Sequence, residues 1–261
     1  MTTSLRDRWR NGETTLGGWL ATPSTVMAEA TARAGFDYVC IDTQHGAIEY
    51  SDSVGLIQAI LLGGSSPIVR VPWNEPGVIG KMLDAGAHGV IVPMVNTPAE
   101  AEAAVRSARY APDGSRSYGP SVAGMRTGDY LSWAADHAAV IPMIETRQAV
   151  DDIDNILAVP GIDAIYVGPA DLSLTLGLPP ANNDDSPEFV EAYATISAAC
   201  ARAGVVAGCH ANGDLTPRRI AGGFRMVTVT TDLVAAKLGY AAELDRARGE
   251  PGSGSDTGTL Y

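Results

Sequence analysis

Short apolar segments alternate along this chain with longer segments whose apolar residues recur at helical spacing, and the alternation occurs eight times. A strand, a helix and a second strand in succession form a βαβ unit, whose two strands are parallel. Eight such repeats in a chain of 261 residues predict an α/β fold, the (β/α)8 TIM barrel. The predicted strands are residues 16–21, 38–41, 67–72, 89–93, 140–144, 164–167, 205–208 and 224–229.

An open, doubly wound sheet is the competing fold for an alternating pattern of strands and helices. That fold usually carries a glycine-rich phosphate loop after its first strand, whereas here the first strand is followed by Thr22-Pro23-Ser24. The number of repeats therefore favours the barrel.

The barrel is expected to form a single domain over residues 1–248. Residues 111–138 interrupt the alternation with glycines and prolines, and we predict a long loop, which in a compact domain is more often functional than idle. The last segment, residues 249–261, is of low complexity and is predicted to be disordered.

The charge and cysteine content exclude several kinds of partner. The formal net charge is −12, so the chain lacks the basic surface that nucleic-acid binding requires. No apolar run reaches the length of a membrane span. The cysteines, Cys40, Cys200 and Cys209, form no C-x-x-C pair and indicate buried or free thiols in a reducing compartment. We therefore predict a cytoplasmic protein without a nucleic-acid or membrane partner.

Two carboxylates follow neighbouring strands of the predicted barrel. Glu145 ends the apolar run 140–144, and Asp171 follows the run 164–167 across a Gly-Pro-Ala turn. Parallel strands bring both acids to the carboxyl end of the barrel, where ligands bind. Such a pair suits Mg²⁺ or Mn²⁺, which prefer oxygen ligands. Two alternatives remain open: Glu145 as a helix cap, and the pair as the acids of a glycoside hydrolase.

Four more polar residues are candidates for chemistry. Asp42 and His45 follow the second strand, Arg70 lies near the end of the third, and Asp84 precedes the fourth. His45 could act as an acid or base with its imidazole oriented by Asp84, and Arg70 could bind a carboxylate or enolate. Their alternatives are structural: a core histidine, a salt bridge inside the barrel and a helix terminus.

Lysine is scarce, since Lys81 and Lys237 are the only two in the chain. Both fall within predicted helices, whereas a Schiff-base aldolase needs a desolvated lysine on or just after a strand. If this barrel activates a carbonyl group, a metal ion must therefore do so.

At these residues the chain resembles the HpcH/HpaI family of metal-dependent, class II pyruvate aldolases. The resemblance covers roughly residues 14–246 and rests on a combination of segments: residues 36–45, 69–72, 83–87, 109–116, 144–146 and 167–173. It implies a barrel of the phosphoenolpyruvate/pyruvate type, a homo-oligomer assembled as a hexamer (a trimer of dimers) and a final helix exchanged between neighbours.

The resemblance also implies roles for individual residues. Glu145 and Asp171 match ligands of a divalent ion, Mg²⁺, Mn²⁺ or Co²⁺, and Arg70 matches the arginine that stabilises the pyruvate enolate. His45 matches the base, with Asp84 as the other member of its dyad. Asp42 matches an acid that helps to hold metal-bound water, with Gln44 close to it in the sequence. The turn that receives the pyruvate carboxylate is matched by Gly168, Pro169, Ala170 and Asp171.

Three positions depart from the family pattern. Gln44 stands where many members have glutamate, Ser117 replaces the usual glycine after the loop arginine, and Met143 stands where the bacterial hydroxy-oxo-heptanedioate enzymes have glutamine. The expected activity is reversible cleavage of a 4-hydroxy-2-oxo acid to pyruvate and an aldehyde. The alternatives are oxo-acid decarboxylation, a condensation like that of macrophomate synthase, and a barrel that binds an oxo acid without catalysis.

Overall fold

The structure, a computed structural model, describes residues 4–249. The predicted disordered tail therefore lies outside the described residues, apart from Gly249. The strands are β1 (Thr15–Leu20), β2 (Tyr38–Asp42), β3 (Ser66–Arg70), β4 (Gly89–Val92), β5 (Ala139–Ile144), β6 (Ala164–Val167), β7 (Val206–His210) and β8 (Met226–Thr231). The helices are α1 (Leu5–Arg10), α2 (Thr25–Arg33), α3 (Tyr50–Gly63), α4 (Pro76–Asp84), α5 (Pro98–Ala108), α6 (Ala123–Arg126), α7 (Tyr130–His137), α8 (Arg147–Asp151), α9 (Ile153–Leu157), α10 (Pro169–Thr175), α11 (Pro187–Ala203), α12 (Thr216–Ala221) and α13 (Asp232–Arg248).

The eight strands form a closed barrel in chain order, and β8 pairs with β1. Every neighbouring pair is parallel, so all eight strands present their carboxyl ends at one end of the barrel. The predicted (β/α)8 architecture is confirmed. Each strand begins within two residues of its predicted start, because the eightfold repetition of short apolar runs between helical segments resolves the ambiguity of any one run.

Side chains alternate between two apolar layers along each strand. On β2, Val39 and Ile41 contact the core between strands and helices, whereas Tyr38 and Cys40 belong to a separate core enclosed by the barrel. This alternation follows from the period of two in a β-strand. Trp9 of α1 joins the inner core and closes the amino end of the barrel.

Three predictions of local structure need correction. The predicted loop 111–138 contains α6 and α7, and α7 begins where Asp129 accepts a hydrogen bond from the Ser132 amide at 3.2 Å. The turn after β6 is the first turn of α10, and β7 continues to His210 instead of ending at residue 208. Helices of four to eight residues carry too few periodic positions to be read from sequence.

No helix within residues 4–249 combines the length and the apolar character that crossing a membrane requires.

Helix α5 begins with a capping box beside the carboxyl end of the barrel. Thr97 Oγ1 accepts from the Glu100 amide at 3.3 Å, and Glu100 Oε2 accepts from the Thr97 amide at 3.1 Å. We expect Thr97→Ala to lower the free energy of unfolding by about 1 kcal/mol, because one helix amide loses its acceptor. Urea unfolding measures this, and Thr97→Ser, which retains the hydroxyl, is the control. Equal losses in both variants would contradict the cap.

Candidate active site

The inner row of several strands ends in a polar residue or glycine at the carboxyl end of the barrel. On these strands, the residue two positions after an apolar or small inner residue points to the same face and is polar or a glycine. The residues in these positions are Asp42 after Cys40, Arg70 after Ile68, Glu145 after Met143, Gly168 after Tyr166 and His210 after Gly208. The period of two therefore gathers charged groups from separate strands above the inner core.

These groups line one small cleft at the carboxyl end of the barrel. Its lining comprises Trp19, Arg70, Met143, Glu145, Tyr166, Gly168, Pro169, Ala170, Asp171 and His210. Of the residues predicted from sequence, the structure thus brings together the arginine, both candidate metal ligands and the whole Gly168–Asp171 turn.

Arg70 is held rigidly from behind by Asp42. Its Nε and Nη2 atoms donate to the two Asp42 carboxylate oxygens at 2.9 and 2.5 Å, and its guanidinium lies 5.0 Å from the Trp19 ring centre. Burial acts to raise the pKa of the Asp42 carboxyl, but the hydrogen bonds and charge of Arg70 lower it overall. The pair is therefore charged, and its geometry is bidentate.

Asp42 holds the following turn in place as well as Arg70, and its predicted role beside metal-bound water stays a prediction. Besides Arg70, its oxygens accept from Trp19 Nε1 at 3.2 Å and from the amides of Gln44 and His45 at 3.0 and 3.1 Å. A carboxylate offers about four lone-pair positions, so these five donors leave little capacity for a bound water. Asp42 orients the arginine and fixes the turn that carries Gln44 and His45.

Glu145 lies in the floor of the cleft, with only 2% of its surface exposed. Its Oε1 accepts from the Met94 amide at 2.8 Å, and Met94 has a left-handed backbone with φ of 56°. Burial raises the pKa of Glu145 to about 7; nearby Asp171 also raises it, and the Met94 amide and Arg70 oppose the rise. A non-glycine residue in this conformation is strained, and here the strain aims an amide at a carboxylate.

The second oxygen of Glu145 lies against Gly168. A Cβ atom at Gly168 would lie 2.3 Å from Glu145 Oε2 and 2.9 Å from Met143 Cε, so a glycine is required for this close approach. Gly168 is the N-cap of α10, and half-buried Asp171 lies in the first turn of that helix. The turn therefore places helix amides and a second carboxylate beside Glu145.

The chemistry of these donors fits a divalent metal ion. Among residues 4–249 no group of three or more His, Cys, Asp or Glu side chains is placed to hold a metal, so the protein would supply Glu145 and Asp171 alone. Mg²⁺ and Mn²⁺ accept few carboxylates and fill their other positions with water or substrate oxygens. A cation would also relieve the repulsion of a buried carboxylate by its neighbour.

The predicted pairing of His45 with Asp84 stays a prediction, and the two residues occupy different ends of their own barrel. His45 is exposed in the turn after β2, at the carboxyl end of the barrel. Asp84 ends α4, and the residues after it reach the opposite end, where the His88 amide donates to Pro67 O at 2.7 Å. A helix that follows a parallel strand runs back along it, which separates the two side chains by the height of the barrel. Asp84 instead accepts from Arg116 Nη2 at 2.5 Å.

Sequence reasoning missed the aromatic wall of the cleft. Trp19 stacks on Tyr166 with ring centres 5.6 Å apart and meets the His210 ring edge-on at 5.3 Å. Burial lowers the pKa of His210 to about 4, with Arg70 adding to the shift and Asp42 opposing it. Extending β7 by two residues would have placed His210 in the inner row.

Both lysines lie away from the cleft, as predicted. Lys81 is exposed on α4, where its Nζ is 4.1 Å from the Tyr50 ring centre, and Lys237 is exposed on α13.

Comparison with known proteins agrees with this geometry. The chain is 42% identical over 243 residues to a hydroxypyruvate/pyruvate aldolase of Rhizorhabdus wittichii, covering 91% of this chain and 95% of that protein. It is 35% identical over 263 residues to a 4-hydroxy-2-oxo-heptane-1,7-dioate aldolase of Salmonella newport, covering 95% and 99%.

The chain is also similar to a solved structure and matches a protein-family model. The HpcH/HpaI aldolase/citrate lyase family protein of Burkholderia cenocepacia superposes with a TM-score of 0.87 at 35% identity, covering 94% of this chain and 98% of that one. Residues 15–236 match the family described as HpcH/HpaI aldolase/citrate lyase. The fold, the cleft and these similarities together show that the chain belongs to the HpcH/HpaI aldolase family.

Proposed function

We propose that this chain is a metal-dependent carbon–carbon lyase that reversibly cleaves a 4-hydroxy-2-oxo acid to pyruvate and an aldehyde. The observation that carries the proposal is the single cleft that joins Arg70, fixed by Asp42, to the two carboxylates Glu145 and Asp171. A fixed cation beside a two-carboxylate site suits a reaction in which negative charge develops on a carbonyl oxygen.

The substrate carboxylate is proposed to bind at the start of α10. The N–H groups of Ala170 and Asp171 lie in the first turn of α10. Pro169 has no N–H group, but at the first helical position that group would have no partner within the helix. Amides at a helix start favour an anion. This interaction orients the 2-oxo acid with its carbonyl group toward Glu145 and Arg70.

Glu145 and Asp171 would hold the divalent cation, which we propose to be Mg²⁺, Mn²⁺ or Co²⁺. When bound, it supplies Lewis-acid polarisation of the substrate carbonyl group. The absence of a lysine from the cleft lining leaves no Schiff-base alternative there.

Arg70 and His45 are proposed to perform the charge and proton steps. His45 takes the proton of the 4-hydroxyl group, the aldehyde carbonyl forms, and the C3–C4 bond breaks. The electron pair of that bond forms an enolate, whose oxygen is stabilised by the Arg70 guanidinium. Protonation of C3 then gives pyruvate. Trp19, Met143 and Tyr166 form the walls that limit access of water.

The enzyme is proposed to act as a homo-oligomer, a hexamer built from three dimers. Helix α13 buries only Asp232 in this chain, although it exposes Leu233, Leu238, Tyr240 and Leu244, which suits a helix that docks on a neighbour. Because His45 and Asp84 lie at opposite ends of one barrel, their dyad would form between subunits. The three buried, unpaired cysteines support a cytoplasmic location.

Chelation tests the proposed reaction. We expect EDTA to abolish pyruvate release from a 4-hydroxy-2-oxo acid, and Mg²⁺, Mn²⁺ or Co²⁺ to restore it, because two carboxylates alone cannot polarise the carbonyl group. A coupled lactate dehydrogenase assay measures release, and oxaloacetate decarboxylation is assayed in parallel. Full activity in chelator, or borohydride trapping of pyruvate on Lys81 or Lys237, would overturn the metal mechanism.

Arg70→Lys tests the fixed cation. We expect kcat to fall by about 100- to 1,000-fold, because lysine keeps the charge but loses the bidentate contact that aims it. Steady-state kinetics measure the loss, with Arg33→Lys on the exposed face of α2 as the control. Activity within a few-fold of wild type would remove Arg70 from the reaction.

Gly168→Ala tests the close approach at the ligand. The added methyl group must displace Glu145 or Met143, so we expect kcat/KM to fall by about 100-fold. Metal affinity, measured by isothermal titration calorimetry, should fall as well. Gly77→Ala, where an added Cβ meets nothing within 4 Å, is the matched control. Unchanged metal affinity in Gly168→Ala would argue against Glu145 as a ligand.

Subunit complementation tests the shared dyad. His45→Ala and Asp84→Ala should each be inactive alone, whereas their co-expression should restore about a quarter of wild-type activity, since half of randomly paired dimers are mixed and each has one intact site of two. Activity is measured on the purified mixed oligomer. Absence of any recovery, with both variants folded and co-assembled, would place the dyad outside the interface.

A further inference from the structure

His210 is the cleft residue to which the proposed reaction gives no task. It ends β7, half-buried, and contacts both Trp19 and Tyr166 beside the groups proposed to bind the oxo acid. His210 pairs with Thr228 of β8, and two residues earlier in β7, Gly208 pairs with Tyr166 of β6. The ring is therefore held by the barrel and not by a mobile loop.

The hydrogen bonds behind His210 determine which of its nitrogens carries a proton. Tyr166 Oη donates its own proton to Thr228 Oγ1 at 2.6 Å, and it lies 3.3 Å from His210 Nδ1. Because that tyrosine proton is already used, Tyr166 Oη accepts from Nδ1–H. A neutral imidazole with a proton on Nδ1 has its lone pair on Nε2.

The lone pair of Nε2 is available to the cleft. Nδ1 is occupied inside the barrel, so Nε2 is the nitrogen left for the cleft that His210 lines. The enclosed position beside Arg70 keeps the imidazole neutral, which is consistent with its lowered pKa of about 4. Nε2 is thus an acceptor for an O–H donor.

The other walls of the cleft serve different chemical groups. Arg70 and the amides of Ala170 and Asp171 are donors suited to substrate oxygens that accept, and Glu145 and Asp171 would be used by the cation. Trp19 and Met143 present apolar surface. Within the described cleft, His210 offers what the remaining lining does not, a neutral acceptor directed at a substrate hydroxyl group.

We propose that His210 Nε2 accepts a hydrogen bond from a hydroxyl group of the substrate, so that the enzyme prefers a hydroxylated oxo acid or a hydroxylated aldehyde over the methyl analogue. This specificity role rests on the proposed aldol function. The two sources of the hydroxyl group share one chemistry and can be separated by matched substrates.

Two substrate pairs of nearly equal size distinguish the sources. Hydroxypyruvate against 2-oxobutyrate, each with the same aldehyde, reports a hydroxyl group on the oxo acid. Glycolaldehyde against propanal, each with pyruvate, reports a hydroxyl group on the aldehyde. We expect the wild-type metal-loaded enzyme to favour the hydroxylated member of one pair, and His210→Phe to lower that ratio of kcat/KM values by about three- to tenfold, the value of one neutral hydrogen bond.

A graded variant series separates the hydrogen bond from shape. His210→Gln, which retains an acceptor, should recover part of the ratio, and His210→Leu serves as the second apolar variant if His210→Phe does not fold by circular dichroism. A ratio unchanged in the apolar variants, or no wild-type preference in either pair, overturns the role of His210. A wild-type enzyme that condenses none of the four combinations, with metal bound, would instead overturn the proposed aldol function itself.

Discussion

The buried ion pair of Asp42 and Arg70 is the interaction on which the candidate site depends. Taking two charges out of water costs several kcal/mol for each ion, and their attraction offsets this only when the remaining donors and acceptors are satisfied. Here the carboxylate accepts five hydrogen bonds, so the arginine cannot turn away from the cleft without leaving a buried charge unpaired. The same carboxylate fixes the turn that carries His45. A single aspartate thus positions both the cation and the proposed base.

The fold could be predicted because its signal is repeated, and the site could be predicted where chemistry follows a strand. Eight apolar runs and a capping threonine at the start of α5 are local signals, and Glu145 and Asp171 inherit their positions from β5 and β6. The burial of individual side chains and the ends of the strands are harder to predict from the sequence. Helix α4 runs antiparallel to the strands, so Asp84 lies at the other end of the barrel from His45, and His210 joins the inner row because β7 continues two residues beyond its predicted end. The end or face of an element that a side chain occupies depends on its neighbours in space, which composition does not encode.

The two halves of the cleft consist of different kinds of chemical group. One half uses charges and helix amides around Glu145, Asp171 and Arg70, groups that suit the carboxylate and carbonyl oxygens common to all 2-oxo acids. The other half consists of aromatic rings and His210 on the ends of β1, β6 and β7. Of the described strands, only β6 contributes to both halves, so a substitution of His210 at the end of β7 alters the second half without replacing a group of the first. This division separates reaction type from substrate choice within one small cavity.

The hydrogen bond from the Met94 amide to Glu145 has a consequence for how the protein tolerates mutation. A donor in the main chain persists whatever side chain the residue carries, proline excepted. The residues that position 94 tolerates are therefore limited by its left-handed backbone and not by the hydrogen bond to Glu145. The contact that orients Glu145 therefore survives any change of side chain that the left-handed backbone tolerates, whereas the contact that orients Arg70 is lost when the Asp42 side chain is replaced.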